Sequence, residues 1–326
     1  MISKEEIKQV RKKAGTIKAV VIGDTMLDRY IYGSVDRISP EAPVPVLSHK
    51  STVTKAGGAA NVAMNLAAWG CQTTLFGLTG KDSHLAVLKA LLNEKSIRHH
   101  LVESDDRPTT IKTRVVASTH HLLRIDEESS VYLNGFHEQA ALTYVENQLS
   151  GENIDLIILQ DYNKGFLTPS MIRLIIDIGR AKKAFIAVDP KEKNFLDFTD
   201  INLLKPNLRE ASQAAKRGLG VSDLSSVADE WRINQRIDTV AITLGGHGIF
   251  LENQQGVVHV VPEKSIDVVD VCGAGDAVVC SLALSLMTGL NLEKTGFLGN
   301  LSGAYVCSHS GVVSVDPLAI MEELRG

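Results

Sequence analysis

The sequence predicts an α/β fold, a doubly wound, mainly parallel sheet with a small β-rich lid. Three observations carry this. Short apolar runs recur along the chain, amphipathic helical patterns lie between them, and two stretches depart from that rhythm. Strands that are covered by helices on both faces read as continuous apolar runs, so the alternation points to βαβ units.

The expected strands lie at residues 19–23 (AVVIG), 73–80, 155–161, 184–190 and 239–245, with a shorter run at 201–207. The expected helices lie at 60–69, 85–95, 135–149, 169–181 and 208–217. Residues 30–50 carry Pro40, Pro43 and Pro45 among alternating valines, and residues 109–125 alternate like half-exposed antiparallel strands. These two segments form the expected lid. No repeat, low-complexity tract or linker interrupts the chain, so one domain over residues 1–326 is expected.

Composition narrows the function classes. Lys plus Arg number 34 and Asp plus Glu 38, a formal net charge of −4. That balance supplies no drive toward nucleic acid or anionic lipid. Apolar residues reach 44%, enough for a large core. Cys71, Cys272, Cys280 and Cys307 form no CxxC pair, which argues against a zinc site or disulfide scaffold and suits a reducing compartment. The first residues form a charged amphipathic stretch rather than a signal peptide. The longest apolar stretch, 277–287, is far shorter than the ~20 residues that span a bilayer. A cytoplasmic location is expected, with neither a membrane nor a nucleic acid as partner.

The strongest chemical signal is DVCGAGD at residues 270–276, followed by an apolar helical run that ends at Gly289. Gly273 and Gly275 let the backbone turn sharply, so successive N–H groups can face one concavity at a helix N-terminus. Bare donors and the positive end of the helix dipole together make an anion site, with Asp276 at its mouth. A carboxylate there can take a proton from a hydroxyl while the N–H groups hold a transferring phosphoryl group. On these residues alone, a helix-capping role for Asp276 accounts for the motif equally well. The motif is neither a Walker A loop nor a dinucleotide fingerprint.

DVCGAGD resembles the C-terminal signature of the ribokinase-like, or PfkB, carbohydrate kinases. GDTMLDRYIYGSVDRISPEAPVPV at residues 23–46 and GGAANVAMNLAAWG at 57–70 resemble the heptose-7-phosphate kinase branch, the kinase half of bifunctional ADP-heptose synthases. RPTTIKTRVV, LLRIDEE, QDYNKG, DPK, KPNLRE and SHSGVVSVDP follow in the same order, so the resemblance covers nearly the whole chain. No nucleotidyltransferase segment follows the kinase segment, so a monofunctional kinase is expected.

The resemblance implies ATP, Mg²⁺ and a monovalent cation such as K⁺, with a sugar phosphate as acceptor. It makes Asp276 the catalytic base and the N–H groups of Gly273, Ala274 and Gly275 the anion hole. Asn207 and Glu210 match an NxxE motif, with Glu210 near Mg²⁺ through water. They also read as an ordinary capping box. Thr243, Gly245 and Gly248 match a turn beside the nucleotide, or simply make a hairpin turn. Asn300 and Gly303 match positions near adenine, or pack a core helix. Asp24, Asp28, Gly57, Gly58 and Asn61 match the sugar site, and Asp270 the monovalent-cation site.

The acceptor's phosphate also needs cations. Lys191, Arg124, Arg37, Lys112, Arg114 and Lys164 are candidates, with Lys191 and Arg124 preferred and Asp161 added as a strand-end carboxylate. Cys272 sits beside a helix N-terminus, which favours some thiol reactivity, although no nucleophilic role is expected of it. His99, His100, His120 and His121 lack metal-ligand spacing and read as strand or surface residues. The lid strands present edges that invite pairing, so a homodimer through the lid is expected.

Overall fold

The computed structural model describes residues 2–118, 120–262, 266–320 and 322. Helix α1 (Lys4–Ala14) starts at a capping box between Ser3 and Glu6 and carries basic residues in its last turn. There follow β1 (Lys18–Gly23), β2 (Thr25–Ile38), β3 (Pro45–Gly58), α2 (Ala59–Trp69), β4 (Gln72–Gly80), α3 (Ser83–Glu94), β5 (Arg98–Ser104), β6 (Ile111–Ala117) and β7 (His120–Glu127). Next come α4 (Gly135–Ser150), β8 (Leu156–Gln160), α5 (Pro169–Ala181), β9 (Phe185–Asp189), β10 (Leu203–Leu204), α6 (Leu208–Ala214) and α7 (Leu224–Asn234). The chain closes with β11 (Thr239–Thr243), β12 (Ile249–Asn253), β13 (Gly256–Val260), α8 (Ala274–Met287) and α9 (Leu292–Cys307).

Nine strands form one sheet in the order β13-β12-β11-β10-β9-β8-β1-β4-β5. From β11 to β5 every pairing is parallel, and β12 and β13 add an antiparallel edge. Alternate strand residues feed two cores. Ala19, Val21, Leu156 and Ile158 face the helices α1, α2, α8 and α9, whereas Val20, Ile22, Ile157 and Leu159 face α4, α5 and α7. This is the doubly wound arrangement. The strand order reverses between β1 and β8, and ligands of such sheets gather beyond the carboxyl ends of the strands at that reversal.

A second sheet of four strands runs β3-β2-β6-β7. Its β2–β6 pairing is parallel and its outer pairings are antiparallel. The strands reach further than the segments read from sequence, because β2 starts at Thr25 and β3 ends at Gly58. Thr119, within the second of those segments, lies outside the described residues. Among the described residues no helix is long and apolar enough to cross a membrane. Most sequence-based bounds shift by a residue or two, and two shift more. Helix α6 ends at Ala214, and the run at 201–207 yields a strand of only two residues, Leu203–Leu204.

Candidate active site

Helix α8 starts at Gly273, whose φ of +81° is a left-handed value that side chains resist. A Cβ on Gly273 would stand 2.7 Å from Asn61 Nδ2. Glycine thus permits both the turn and the approach of α2. Ala274 and Gly275 are the first helical residues, and the Ala274 N–H donates to the Val271 carbonyl at 3.3 Å. Asp276 comes third and is only 2% exposed.

Among the described residues, side chains alone hold the Asp276 carboxylate. Asn61 Nδ2 donates to Oδ2 at 2.7 Å, while Tyr162 Oη and Gln160 Nε2 donate to Oδ1 at 2.8 and 3.2 Å. Burial pushes its pKa up to about 7, and the nearby charge of Asp189 pushes the same way. The hydrogen bonds from Asn61 and Tyr162 and the charge of Lys205 work against that rise. A base poised near neutrality suits proton abstraction.

The carboxyl ends of β8 and β9 and the residue after β10 add a polar chain under α8. Gln160 Nε2 also donates to Asp189 Oδ2 at 3.0 Å, and Lys205 Nζ pairs with Asp189 Oδ1 at 3.0 Å. Lys205 and Asp189 both lie close under Gly275. Gln160, Tyr162, Asp189 and Lys205 escape the sequence reading of individual sites. The strand-end rule that singled out Asp161 reaches Gln160 and Asp189 as well. Tyr162 had no such signal, because its position depends on how the loop after β8 folds.

That loop is organised by Asp24. Oδ2 accepts the backbone N–H of Tyr162 at 2.8 Å and of Lys164 at 2.9 Å, and Oδ1 accepts that of Phe166 at 3.2 Å. Asp24 was expected at the sugar. In the structure its carboxylate accepts from the backbone of the loop after β8. Asp161 behaves similarly, accepting from the Asn163 N–H and Asn194 Nδ2. Burial pushes Asp161 up to about 7, with the charge of Asp24 adding to it.

Asp28 lies on β2, buried, and pairs with Arg114 of β6, whose guanidinium stacks 5.3 Å from the Tyr30 ring centroid. Gly57, on β3, has no room for a Cβ because Asp28 Oδ2 occupies that space. Gly58 caps α2 and brings Asn61 into its first turn. Asp28, Gly57, Gly58, Asn61 and Asp276 thus form one continuous wall.

Asn207 and Glu210 make a reciprocal capping box at α6, at 2.9 and 2.8 Å. Glu210 is buried and also pairs with Lys191, whose ammonium lies 5.2 Å from the Tyr162 ring centroid. Lys191 therefore faces Glu210. A parallel bridge sets Asn207 beside Thr243, joining the NxxE helix to the turn with Gly245 and Gly248. Asp270 accepts from the backbone of Cys272 at 3.0 Å and Gly311 at 3.2 Å, tying the glycine turn to the C-terminal loop.

Three candidates have other partners in the structure. Arg124 is largely exposed on the edge strand β7 and bonds Asp126 at 2.9 Å, outside the buried wall. Asn300 donates to the Val260 carbonyl at 2.8 Å, and Gly303 packs on Val278, so both serve contacts of α9. Burial pushes the Cys272 thiol up to about 12, the opposite of an activated thiolate.

Fold and site together define a sugar-kinase scaffold: a doubly wound sheet, a glycine turn opening a helix, and a buried carboxylate third along it. A family model described as pfkB family carbohydrate kinase matches residues 16–318, and the chain belongs to that family. The bifunctional protein HldE of Caulobacter vibrioides is 38% identical over 90% of this chain and 60% of its own length. That of Gluconacetobacter diazotrophicus is 34% identical over 95% of this chain and 64% of its own length. The chain spans less than two thirds of these curated relatives. Phosphofructokinase-2 from Escherichia coli, in complex with substrates and products, shares the fold with a TM-score of 0.77 at 20% identity, covering 95% of this chain and all (100%) of its own. A putative ribokinase from Agrobacterium tumefaciens gives a TM-score of 0.70 at 15% identity, covering 95% of this chain and 97% of its own.

Proposed function

We propose that this protein transfers the γ-phosphoryl group of ATP to the anomeric 1-hydroxyl of D-glycero-D-manno-heptose 7-phosphate, giving the 1,7-bisphosphate. The observation that carries the reading is Asp276, buried at the start of α8 with its pKa near 7 and held only by groups an acceptor hydroxyl can replace. Asp276 takes the hydroxyl proton as the oxygen attacks phosphorus. The N–H groups of Gly273 and Gly275, joined by that of Ala274 once it leaves the Val271 carbonyl, face the charge that develops on the transferring group, a role typically worth ~3–4 kcal/mol per donor.

Asp28, Gly57, Gly58 and Asn61 bind the sugar, and Asp24 and Asp161 shape the loop that covers it. Thr243, Gly245 and Gly248 line the nucleotide, with Asn207 at its phosphates. A single buried carboxylate beside a lysine suits Mg²⁺, which keeps most of its waters, so Glu210 would hold it through water. When bound, that ion neutralises phosphate charge. Asp270 is positioned for a monovalent cation beside the glycine turn. The small sheet acts as a lid and excludes water on closing. Ile38, Val53, Leu123 and Ile125 are exposed on it, which supports a homodimer through that sheet. Only monomer in sedimentation at micromolar concentration counts against the dimer.

A coupled ADP-release assay with heptose 7-phosphate, fructose 6-phosphate and ribose tests the substrate. Turnover is expected to favour heptose 7-phosphate. Preference for either other sugar overturns the heptose assignment.

A further inference from the structure

The strand β6 and the loop after β8 each send a lysine to one carboxylate. Lys112 Nζ lies 3.0 Å from Glu128 Oε2, and Lys164 Nζ lies 2.7 Å from Glu128 Oε1. All three side chains are largely withdrawn from solvent, at 16%, 14% and 24% exposure. Glu128 follows the end of β7 in a stretch without regular structure. The same cluster contains Asp126, 3.5 Å from Lys112 and 2.9 Å from Arg124 Nε.

Both lysines come from elements that build the acceptor end of the site. Lys112 stands opposite Asp28 in the β2–β6 register, and its charge acts on Asp28. Lys164 lies two residues beyond Tyr162, which reaches Asp276, and its own N–H is fixed on Asp24. Charge counting identifies the class of ligand. Lys112, Lys164 and Arg124 carry three positive charges, and Asp126 removes one. Without Glu128 the cluster holds two net positive charges, the complement of a phosphate monoester at neutral pH, which carries about −1.5 to −2. With Glu128 in place, one of those charges is already answered.

We propose that Lys112 and Lys164 seat the phosphate of the acceptor sugar, and that Glu128 fills this seat in the free protein and leaves it when the acceptor binds. This rests on the kinase reading above and deepens it by assigning the group that selects phosphorylated sugars. Glu128 is then a competitor of the substrate phosphate rather than a contact to it. Without Glu128, Lys164 would lose its carboxylate partner beside Lys112, which would keep only Asp126 at 3.5 Å among the described residues, so the free protein gains from the carboxylate.

The test compares Glu128→Gln, Lys112→Met and Lys164→Met with the parent chain. The ratio of kcat/KM for heptose 7-phosphate to that for unphosphorylated heptose is read for each. Losing one charge-assisted contact to phosphate costs about tenfold or more in affinity, so each lysine variant is expected to lower the ratio by ~10-fold or more. Glu128→Gln is expected to lower the KM for heptose 7-phosphate several-fold. Inorganic phosphate supplies a readout independent of turnover. It should raise the melting temperature of the parent, raise that of Glu128→Gln more, and leave that of the Lys112→Met/Lys164→Met double variant where it was.

A higher KM in Glu128→Gln, or a ratio that does not move in the lysine variants, overturns the proposal while leaving the kinase intact. Absence of turnover on any sugar by the parent chain defeats the kinase reading instead. The phosphate-dependent melting then decides the seat by itself.

Discussion

Asp24 and Asp276 are both buried carboxylates that meet at Tyr162, yet they are held in different ways. Asp24 accepts three backbone N–H groups and fixes the loop from Tyr162 to Phe166. Among the described residues, Asp276 accepts only from the side chains of Asn61, Gln160 and Tyr162. Backbone donors cannot leave without unfolding the loop. Side-chain donors can rotate aside for a hydroxyl or a phosphoryl oxygen. Two carboxylates of similar burial are thereby divided, one fixed by its scaffold and one held by groups that can exchange, as the proposed base requires.

Neutralising each one separates the two roles, and the largest effect belongs to Asp276. Asp276→Asn is expected to lower kcat by about 10²–10⁴-fold, the usual worth of a general base, while ATP affinity stays close to the parent's. Unchanged turnover defeats the assignment of the base. The same substitution should raise stability at pH 8. Folded Asp276 titrates near 7, against a reference value of 3.8, so the folded state holds the extra proton between those values. Stability from this group is complete below pH 3.8 and is lost as the pH climbs through 7. The cost of burying the charge, on the order of a few kcal/mol, is thus fully present at pH 8 and absent from the Asn variant. Denaturant midpoints at pH 4 and pH 8 should show the gap opening with pH.

Asp24→Asn should do the reverse. One amide oxygen cannot hold three N–H groups as a carboxylate does, and an unsatisfied buried donor costs about 1–3 kcal/mol. The midpoint should fall by that amount. The KM for the sugar should rise more than the KM for ATP, because the loosened loop carries Tyr162 and Lys164. Equal stability of parent and variant would show that the three bonds are incidental.

The distinction was only partly legible in the sequence. Apolar runs marked the strands of the main sheet, since each is covered on both faces, and Pro169 with Thr168 before it marked the start of α5. DVCGAGD located the buried carboxylate of the proposed base, because a tight turn into a helix demands glycine at Gly273. Asp24 and Asp28 looked alike on the page, two acids after one strand. Only the entry of β2 at Thr25 sends Asp28 toward the ligand wall and leaves Asp24 to the neighbouring loop. Gln160, Asp189 and Lys205 meet through the order of β8, β9 and β10, a long-range property no local pattern carries. Glu128 was invisible for the same reason: its partners lie 16 and 36 residues away.

The finest test concerns the single bond from Tyr162 Oη to Asp276 Oδ1 at 2.8 Å. That donor favours the carboxylate form and holds the pKa of Asp276 below where burial alone would leave it. Tyr162→Phe removes the hydroxyl and keeps the ring, so the Lys191 ammonium retains its face 5.2 Å away. A hydrogen bond to a charged carboxylate contributes about 1.5–3 kcal/mol, equivalent to roughly one to two pKa units. The acid limb of the kcat/KM–pH profile should therefore move upward by about that amount. The loss in rate should be largest below pH 7 and should shrink as the pH rises past the limb. A limb displaced downward, or a loss independent of pH, would mean that Tyr162 governs access to the cleft instead of the charge on its base.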